Sequence, residues 1–363
     1  MSLLLLLSWW QFPSGAPQVK AAVEEKAWDI GIAGSVPNVI AGQQGIHSIA
    51  ISNDESYTTE VVGAPGVTEW PPQDLTDLVF AGTPKSTGEL LLRKCLEKAG
   101  LDFNDDHILF AQQGEVMDRL VADGDPKYGC LWAPNTYTYR EANPRAKVFC
   151  SGKHIDFPIY GGLMVREEYG EQKQEIVSKV LAAYLRGVTF MQNTEEIDEV
   201  LRISAAYHEY SGTPISENAL EEDLILRPLF NLDQQLDHMS RNFANEYISE
   251  ADKHYYALED FLFEQGVIEN KFEPKEYLTD KYMKLVSQDP ELRAYSYYGT
   301  GVLAGKQSPF TLSSNKLETG SIVGIVLGVI GAVTLLISGY LICGKKTEPV
   351  VVNEAKPEQY QVA

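Results

Sequence analysis

The sequence predicts an α/β protein of two lobes, followed by one membrane-spanning helix. Short apolar runs alternate with amphipathic stretches from Trp9 to about Met191, a rhythm typical of βα units around a largely parallel sheet. After two prolines the chain turns polar at Asp74, Leu75, Thr76 and Asp77, which indicates a crossing into a second lobe. An uncharged apolar stretch near the C terminus is long enough to span a bilayer.

The first lobe is predicted to comprise residues 1–77. After an initial strand, its expected elements are a helix, a strand, a short helix and a strand, at 16–25, 28–32, 36–42 and 48–51. The opening apolar run has no basic n-region and is very short, so it is a poor signal peptide. We therefore expect the chain to be truncated at its N terminus, without the signal and the first structural unit.

The second lobe is predicted at 78–191, with the hinge return near 165–191. Its expected strands lie at 78–81, 107–111, 130–133, 146–150 and 162–165, and its helices at 86–99, 115–122 and 174–191. The last helix carries an apolar stripe at helical spacing, which is typical of core packing. Residues 192–294 read as mainly helical and are expected to pack back onto the first lobe.

The apolar stretch at 320–343 predicts a transmembrane helix, since about 24 residues exceed a hydrocarbon core of roughly 30 Å. Lys345 and Lys346 follow it, which by the positive-inside tendency places the tail, 344–363, in the cytoplasm. The binding domain would then be extracellular or lumenal, joined through a juxtamembrane linker at 295–319. The partner of this segment is the membrane itself.

Two features of this segment suggest further interactions. Gly320, Gly324 and Gly328 repeat a GxxxG spacing that permits a helix dimer, although glycine is common in spanning helices and the spacing could be incidental. Cys343 lies at the membrane edge beside the lysines and is a palmitoylation candidate.

Charge and cysteine content narrow the class of protein. A formal net charge of −21 argues against a nucleic-acid partner, because binding phosphate requires a basic field. The four cysteines include no CxxC pair, which argues against a zinc or redox motif. Cys130 and Cys150 could form a disulfide in an oxidising compartment, or could be two small buried hydrophobic residues.

The strongest candidate binding segment is Gly82 to Glu89, between a predicted strand and a predicted helix. Backbone N–H groups at a helix start attract anions, and hydroxyl groups nearby can donate hydrogen bonds. The candidates are Thr83, Lys85, Ser86 and Thr87. Plain N-capping by Thr83 or Ser86 is the equally weighted alternative.

Other strand ends supply the remaining ligand-binding candidates. Ser35 and Val36 open a helix after a glycine-containing turn, so two helix starts would face one cleft. Trp132 could form an apolar side of the site, with core packing as the alternative. Asn135 could form a hydrogen bond with the solute. Asp54 could meet a ligand amine, although a solvated turn is the favoured interpretation there.

No catalytic or cofactor motif stands out. The six histidines form no HExxH pair, and no GxSxG sequence is present. We expect no catalytic residue, no metal site and no cofactor.

Several segments in order carry a family resemblance: residues 14–19, WDIGIAGSVPNVIA, GTPKSTGELLLRKCLEKAGLD, LWAPNTYTY and YGGLMVREEY. Together they resemble the taurine-, sulfonate- and nitrate-type periplasmic solute-binding proteins, the SsuA/THI5-like group, over about Trp9 to Met191. FLFEQGVI and EYLTDKYM further on resemble the helical end of that family.

The resemblance implies a type II periplasmic-binding fold, in which two hinged α/β lobes close over a ligand, usually for an ABC transporter permease. Carried over, it places Ser35, Ser86, Thr87 and Trp132 near the ligand. Two departures from the family are expected: the first strand with its ligand-contacting loop is missing from this sequence, and a C-terminal spanning helix is added.

Three functions follow as alternatives. The leading one is a membrane-anchored protein that captures a small anion or zwitterion of the taurine, alkanesulfonate or nitrate class, for uptake or sensing. The second is a single-pass receptor or adhesion protein that keeps the fold without a solute site. The third is a thiamine-pyrimidine synthase-like enzyme, disfavoured because those enzymes consume a histidine and use a cysteine-rich motif with iron, and no cysteine cluster occurs here.

Overall fold

The computed structural model describes residues 19, 22–72, 79–101, 105–122, 126–210, 214–241 and 248–299. Within them the strands are β1 (Ile30–Ala33), β2 (Ile46–Asp54), β3 (Thr59–Gly63), β4 (Phe80–Gly82), β5 (Ile108–Phe110), β6 (Tyr128–Trp132), β7 (Val148–Ser151) and β8 (Tyr160–Arg166). The helices are α1 (Ser35–Gly42), α2 (Thr87–Lys98), α3 (Gln113–Ala122), α4 (Asn135–Ala142), α5 (Glu167–Gln172), α6 (Gln174–Met191), α7 (Ile197–Tyr210), α8 (Glu217–Leu226), α9 (Leu232–Met239), α10 (Glu250–Glu264), α11 (Lys281–Gln288) and α12 (Pro290–Tyr295).

The described strands form two sheets, one in each lobe. The first has the order β1-β8-β2 and the second the order β5-β4-β6-β3-β7. The α/β fold class and the two lobes predicted from the sequence are therefore present.

The prediction of a largely parallel sheet is wrong for the first lobe as described. There β8 lies between β1 and β2 and runs antiparallel to both. In the second sheet β4 is parallel to β5 and β6, whereas β3 is antiparallel to β6 and β7. The antiparallel strands β3 and β8 are those that directly follow a crossing between lobes, so they enter each sheet from the opposite end.

The crossing into the second lobe comes earlier than the polar run at 74–77 predicts. The strand β3 already belongs to the second sheet, so the chain crosses between Asp54 and Thr59. It returns between Ser151 and Tyr160, before the expected range of 165–191. The sequence signal failed because β3 is only five residues long. The polar run at 74–77 lies outside the described residues.

Each sheet has apolar clusters on both faces. In the second sheet Val61 packs towards Leu91 and Leu92 of α2, and its neighbour Val62 packs on the opposite face with Val116 of α3. This alternation is the period-2 pattern of a strand buried on both sides. In the first lobe the main core includes Ile49 and Ile51 of β2 and the apolar stripe of α6, which confirms that the stripe is core.

The helices after Met191 do not all return to the first lobe. α10 and α11 share the core of β2, as expected, whereas α8 contacts α4 of the second lobe through polar side chains. Tyr137 donates to Asp223 at 2.9 Å and Arg140 pairs with Glu222 at 2.6 Å. α8 thus bridges the lobes, because Leu224 on the same helix packs against the apolar cluster that Phe190 of α6 forms with Val200 and Ile203 of α7.

The predicted pairing of Cys130 with Cys150 is replaced by a disulfide between Cys95 and Cys150, with Cα atoms 6.2 Å apart. Cys130 is free and buried. Cys130 and Cys150 face the same residue, Val61, from opposite sides of β3. They are therefore two strand spacings apart, roughly 9.6 Å, which exceeds the reach of a disulfide.

No described helix combines the length and the apolar character needed to cross a membrane. The predicted transmembrane helix at 320–343, its glycines, Cys343 and the tail all lie outside the described residues.

Candidate functional site

In the first lobe, the start of α1 lies at the end of the sheet from which the chain crosses between lobes. β2 leaves the sheet at Asp54 and β8 enters at Tyr160, and these two residues are paired. Ala33, the last residue of β1, pairs with Gly162, two residues into β8. The turn at Gly34 and Ser35 that follows β1 therefore faces the second lobe.

The same register argument holds for the second lobe. Thr59, the first residue of β3 after the crossing, pairs with Trp132, the last residue of β6. β4 runs parallel to β6, so Gly82 at its end also lies at the crossing edge. The segment from Gly82 to the start of α2 therefore faces the first lobe, and the two helix starts lie at the facing ends of the two sheets, whose separation is here called the gap between the lobes.

Four predicted residues lie at this edge of the second sheet: Thr83, Ser86, Thr87 and Trp132. Gln113, which sequence reasoning missed, joins them. Its amide nitrogen donates to the Thr83 hydroxyl oxygen at 3.3 Å and its amide oxygen accepts the Trp132 N–H at 3.1 Å. The Thr83 proton is thereby left available to another acceptor.

The indole of Trp132 lies over the first turn of α2. A Cβ on Gly88 would come within 3.1 Å of the Trp132 ring and 3.3 Å of the Cys130 sulfur. Gly88 therefore permits the close approach of ring and helix. Trp132 is half-buried, so it is neither a core residue nor fully solvated.

The hydroxyl of Ser86 is engaged as the helix cap. It donates to the Thr83 carbonyl at 2.6 Å and accepts the Glu89 N–H at 3.2 Å. The side chain of Ser86 therefore caps α2, as the N-capping interpretation predicted. Thr87 is the first residue of the helix, and its hydroxyl does not serve as the cap. The signal for this cap was the Ser-x-x-Glu spacing.

Glu89 is the second residue that sequence reasoning missed. Its side chain is buried, accepts the Lys85 N–H at 2.6 Å and pairs with Arg93 at 2.6 Å. Lys85 itself is exposed and adopts a left-handed backbone with φ of 53°. The carboxylate and the guanidinium balance each other, so the partial positive charge of the helix start remains.

On the first lobe the turn presents backbone more than side chains. Ser35 and Val36 are buried, at 0% and 1% exposure, so their side chains do not reach the gap. Gly34 is partly exposed, and a Cβ there would meet nothing within 4 Å. The exposed part of this turn is therefore its backbone at Gly34.

Asp54 and Asn135 lie near the crossing. The Asp54 carboxylate accepts the Ser56 N–H at 2.8 Å and also the Ser56 hydroxyl, which organises the crossing turn. Asn135 is half-buried and is the first residue of α4, directly after a cis Ala133–Pro134 bond. A ligand contact by either residue stays a prediction.

Burial controls the ionisable groups under the site. It raises the pKa of the Cys130 thiol, and the nearby Glu60 carboxylate raises it further, so the thiol stays protonated. Burial likewise raises the pKa of Glu60, against the lowering effects of Arg140 and the Thr136 hydroxyl. Across the described residues, no group of three or more His, Cys, Asp or Glu side chains is placed to hold a metal ion.

Comparison with known proteins identifies the family of this chain. The family model described as "NMT1/THI5 like" matches residues 10–196, just over half of the sequence. The chain belongs to the NMT1/THI5-like family. The resemblance inferred from the sequence motifs is thereby confirmed. A search of curated protein sequences finds no match for this NMT1/THI5-like chain.

Solved structures share the fold of this NMT1/THI5-like protein. The periplasmic aliphatic sulphonate binding protein SsuA from Escherichia coli has 17% identity and a TM-score of 0.56, over 74% of this chain and 80% of that one. The alkanesulfonate-binding protein SsuA from Xanthomonas axonopodis pv. citri, bound to MOPS, has 16% identity and a TM-score of 0.58, over 74% and 86%.

A third solved structure is the ligand binding component of an ABC-type import system from Staphylococcus aureus, with zinc bound. It has 13% identity and a TM-score of 0.57, over 78% of this chain and 93% of that one. At such identities these likenesses establish a common periplasmic-binding-protein-like fold.

Proposed function

We propose that the protein binds a small anionic or zwitterionic solute, of the taurine, alkanesulfonate or nitrate class, between its two lobes for uptake or sensing. One observation carries this proposal: the starts of α1 and α2, in different lobes, lie at the facing ends of the two sheets. Helix N termini with unpaired N–H groups favour negative charge. We propose no catalytic role.

The side chains at the gap suit a sulfonate or a similar oxyanion. Thr83 and Thr87 can each donate a hydroxyl proton, and the first N–H groups of α2 have no partner within the helix. The half-buried Trp132 indole offers an apolar wall for a short carbon chain. Two of the solved structures with this fold are sulfonate-binding proteins by their descriptions.

The proposed location is an oxidising compartment, with the domain held at a membrane by residues 320–343 and facing a transporter permease or a signalling partner. The Cys95–Cys150 disulfide supports the first part, since disulfides persist in extracellular, periplasmic or lumenal proteins. The apolar composition of 320–343 supports the second.

Calorimetric titration of the full chain in detergent with taurine, ethanesulfonate and nitrate tests the proposal. We expect at least one of them to bind, and choline, a cation of similar size, to give no heat. Thr87→Val, which keeps the side-chain shape and removes the hydroxyl, should lower the affinity at least tenfold, because a hydrogen bond to a charged group contributes about 1.5–3 kcal/mol.

Thr138→Val is the matched control, since Thr138 is an exposed threonine on the outer part of α4. It should bind as the wild type does. A folded protein that binds none of the three anions would refute the proposal.

A second candidate is a receptor or adhesion protein that keeps the fold without a solute site. The internal engagement of Ser86 and Glu89 at the start of α2 favours it, because groups that could serve a solute already serve the helix. Failure of every anion to bind in the titration would support this candidate.

A further inference from the structure

We propose that Asn38 is a positioning residue, which clamps the turn between β1 and α1 so that its backbone faces the gap. This inference rests on the proposed function, since it concerns the first-lobe side of the same site. Asn38 was not among the residues singled out from the sequence.

Both amide protons of Asn38 are used on that turn. Its side-chain nitrogen donates to the carbonyl of Ala33 at 2.8 Å and to the carbonyl of Gly34 at 2.8 Å. Ala33 ends β1 and Gly34 is the N-cap of α1, so one side chain fixes the strand end to the helix start. Gly34 has no side chain that could cap the helix, and Asn38 supplies the restraint instead.

The surroundings of Asn38 hold the carboxamide in place. Asn38 is 1% exposed. A Cβ on Gly162 would come within 2.4 Å of the Asn38 side-chain oxygen and 2.7 Å of the Ser48 hydroxyl. β8 therefore carries glycine opposite the carboxamide, and a side chain there would push the clamp out of position.

The neighbouring side chains of the turn do not make these bonds in the described structure. Ser35 and Val36 at the turn are themselves buried, and the hydroxyl of Ser35 has no partner among the described residues. Pro37 has no N–H to contribute. With the Asn38 amide removed, the Ala33 carbonyl would lose its donor, and the amide edge that faces the gap would be free to rotate.

Gln235 offers a matched control within the same lobe. It is also a fully buried amide that bonds backbone, accepting the Ile51 N–H at 2.9 Å and donating to the Ile51 and Phe230 carbonyls. Its bonds hold β2 to the segment before α9 and do not touch the turn at Gly34. Loss of either amide should lower stability, and only loss of Asn38 should alter the turn.

The test compares Asn38→Ala, Gly162→Ala and Gln235→Ala in the full chain by hydrogen–deuterium exchange and by titration with the sulfonate or nitrate that the wild type binds. We expect faster exchange in peptides covering 30–42 for the first two variants, and at least tenfold weaker binding. Gln235→Ala should speed exchange near 46–54 and leave both the 30–42 exchange and the affinity unchanged. Gly162→Ala keeps every hydrogen-bonding group and so serves if Asn38→Ala does not fold.

Unchanged exchange over 30–42 in the variants would overturn the proposal, as would an equal loss of affinity in Gln235→Ala. A wild type that binds no anion would instead refute the proposed function. In that case the exchange measurement still decides whether Asn38 positions the turn.

Discussion

Glu259 shows how a single residue can tie stability to pH. It lies on the inner side of α10 with 1% exposure and accepts the Phe272 N–H at 3.0 Å. Burial raises its pKa to about 7, and the Phe272 N–H and the Tyr277 hydroxyl only partly oppose this. The nearby carboxylates of Asp260 and Glu273 raise the pKa further. Between about pH 4.5 and pH 7, the folded protein therefore keeps a proton on Glu259 that the unfolded chain has already released.

The sign of the pH effect follows from that raised pKa. Stability from the protonated carboxyl is fully present below about pH 4.5 and is lost as the pH rises through about 7. Glu259→Gln mimics the protonated form, so we expect the variant to gain stability relative to the wild type between pH 5 and pH 8, on the order of 1–2 kcal/mol. Urea unfolding at several pH values measures the difference.

Comparison with a variant is needed because His254 acts in the opposite sense. Burial lowers its pKa to about 3, so it stabilises the fold at neutral pH and this contribution falls as the pH drops. Glu264→Gln on the exposed side of α10 is the control and should show no such trend. A pH-independent difference for Glu259→Gln would mean that the buried carboxyl is already ionised in the folded protein.

At the scale of elements, strand order decided which cysteines meet. The sequence located four of the five strands of the second sheet and the helix α2 to within a few residues, because their apolar periods are clear. It missed β3, whose insertion between β6 and β7 separates Cys130 from Cys150. Cys95 on α2 packs over this part of the sheet and takes the place expected for Cys130.

The disulfide should be a substantial source of stability for the second lobe. It closes a loop with a sequence separation of 55, for which the chain-entropy relation gives about 4 kcal/mol. We expect the Cys95→Ala/Cys150→Ala double variant to unfold at lower urea than the wild type. Reductant should destabilise the wild type and leave the double variant unchanged.

Peptide mapping by mass spectrometry without reduction checks the pairing itself. It should recover a fragment that links the Cys95 and Cys150 peptides. A Cys130–Cys150 fragment as the main product would contradict the strand order.

At the scale of the whole molecule, the lobes are connected by more than the two crossing segments. α8 bonds to α4 through Tyr137–Asp223 and Arg140–Glu222, and Arg93 of α2 donates to Gln265 at the end of α10 at 3.3 Å. Leu90 of α2 is buried in the core of the first lobe. These contacts hold the two lobes together in addition to the crossing segments.

Breaking the α8 bridge should widen the range of lobe orientations. The double variant Tyr137→Phe/Glu222→Gln removes the Tyr137 hydrogen bond and the charge of the Arg140–Glu222 ion pair, and it keeps the side-chain volumes. We expect an increased radius of gyration in small-angle scattering and a weaker affinity for any bound anion. Glu199→Gln, which breaks only the Arg202–Glu199 pair within α7, is the control. An unchanged scattering profile for the double variant would show that these two polar links do not set the lobe orientation.

The sequence by itself determined the family, the α/β class, the two lobes and the placement of helix starts at strand ends, because these depend on local periodicity and on motifs in a fixed order. Tertiary structure decided the point of crossing between lobes, the disulfide, the bridge by α8 and the roles of Asn38, Gln113 and Glu89. These depend on which strands are neighbours and on which polar atoms burial brings together. Strand neighbours and buried polar contacts both involve residues far apart in the chain, so a local sequence pattern does not predict them.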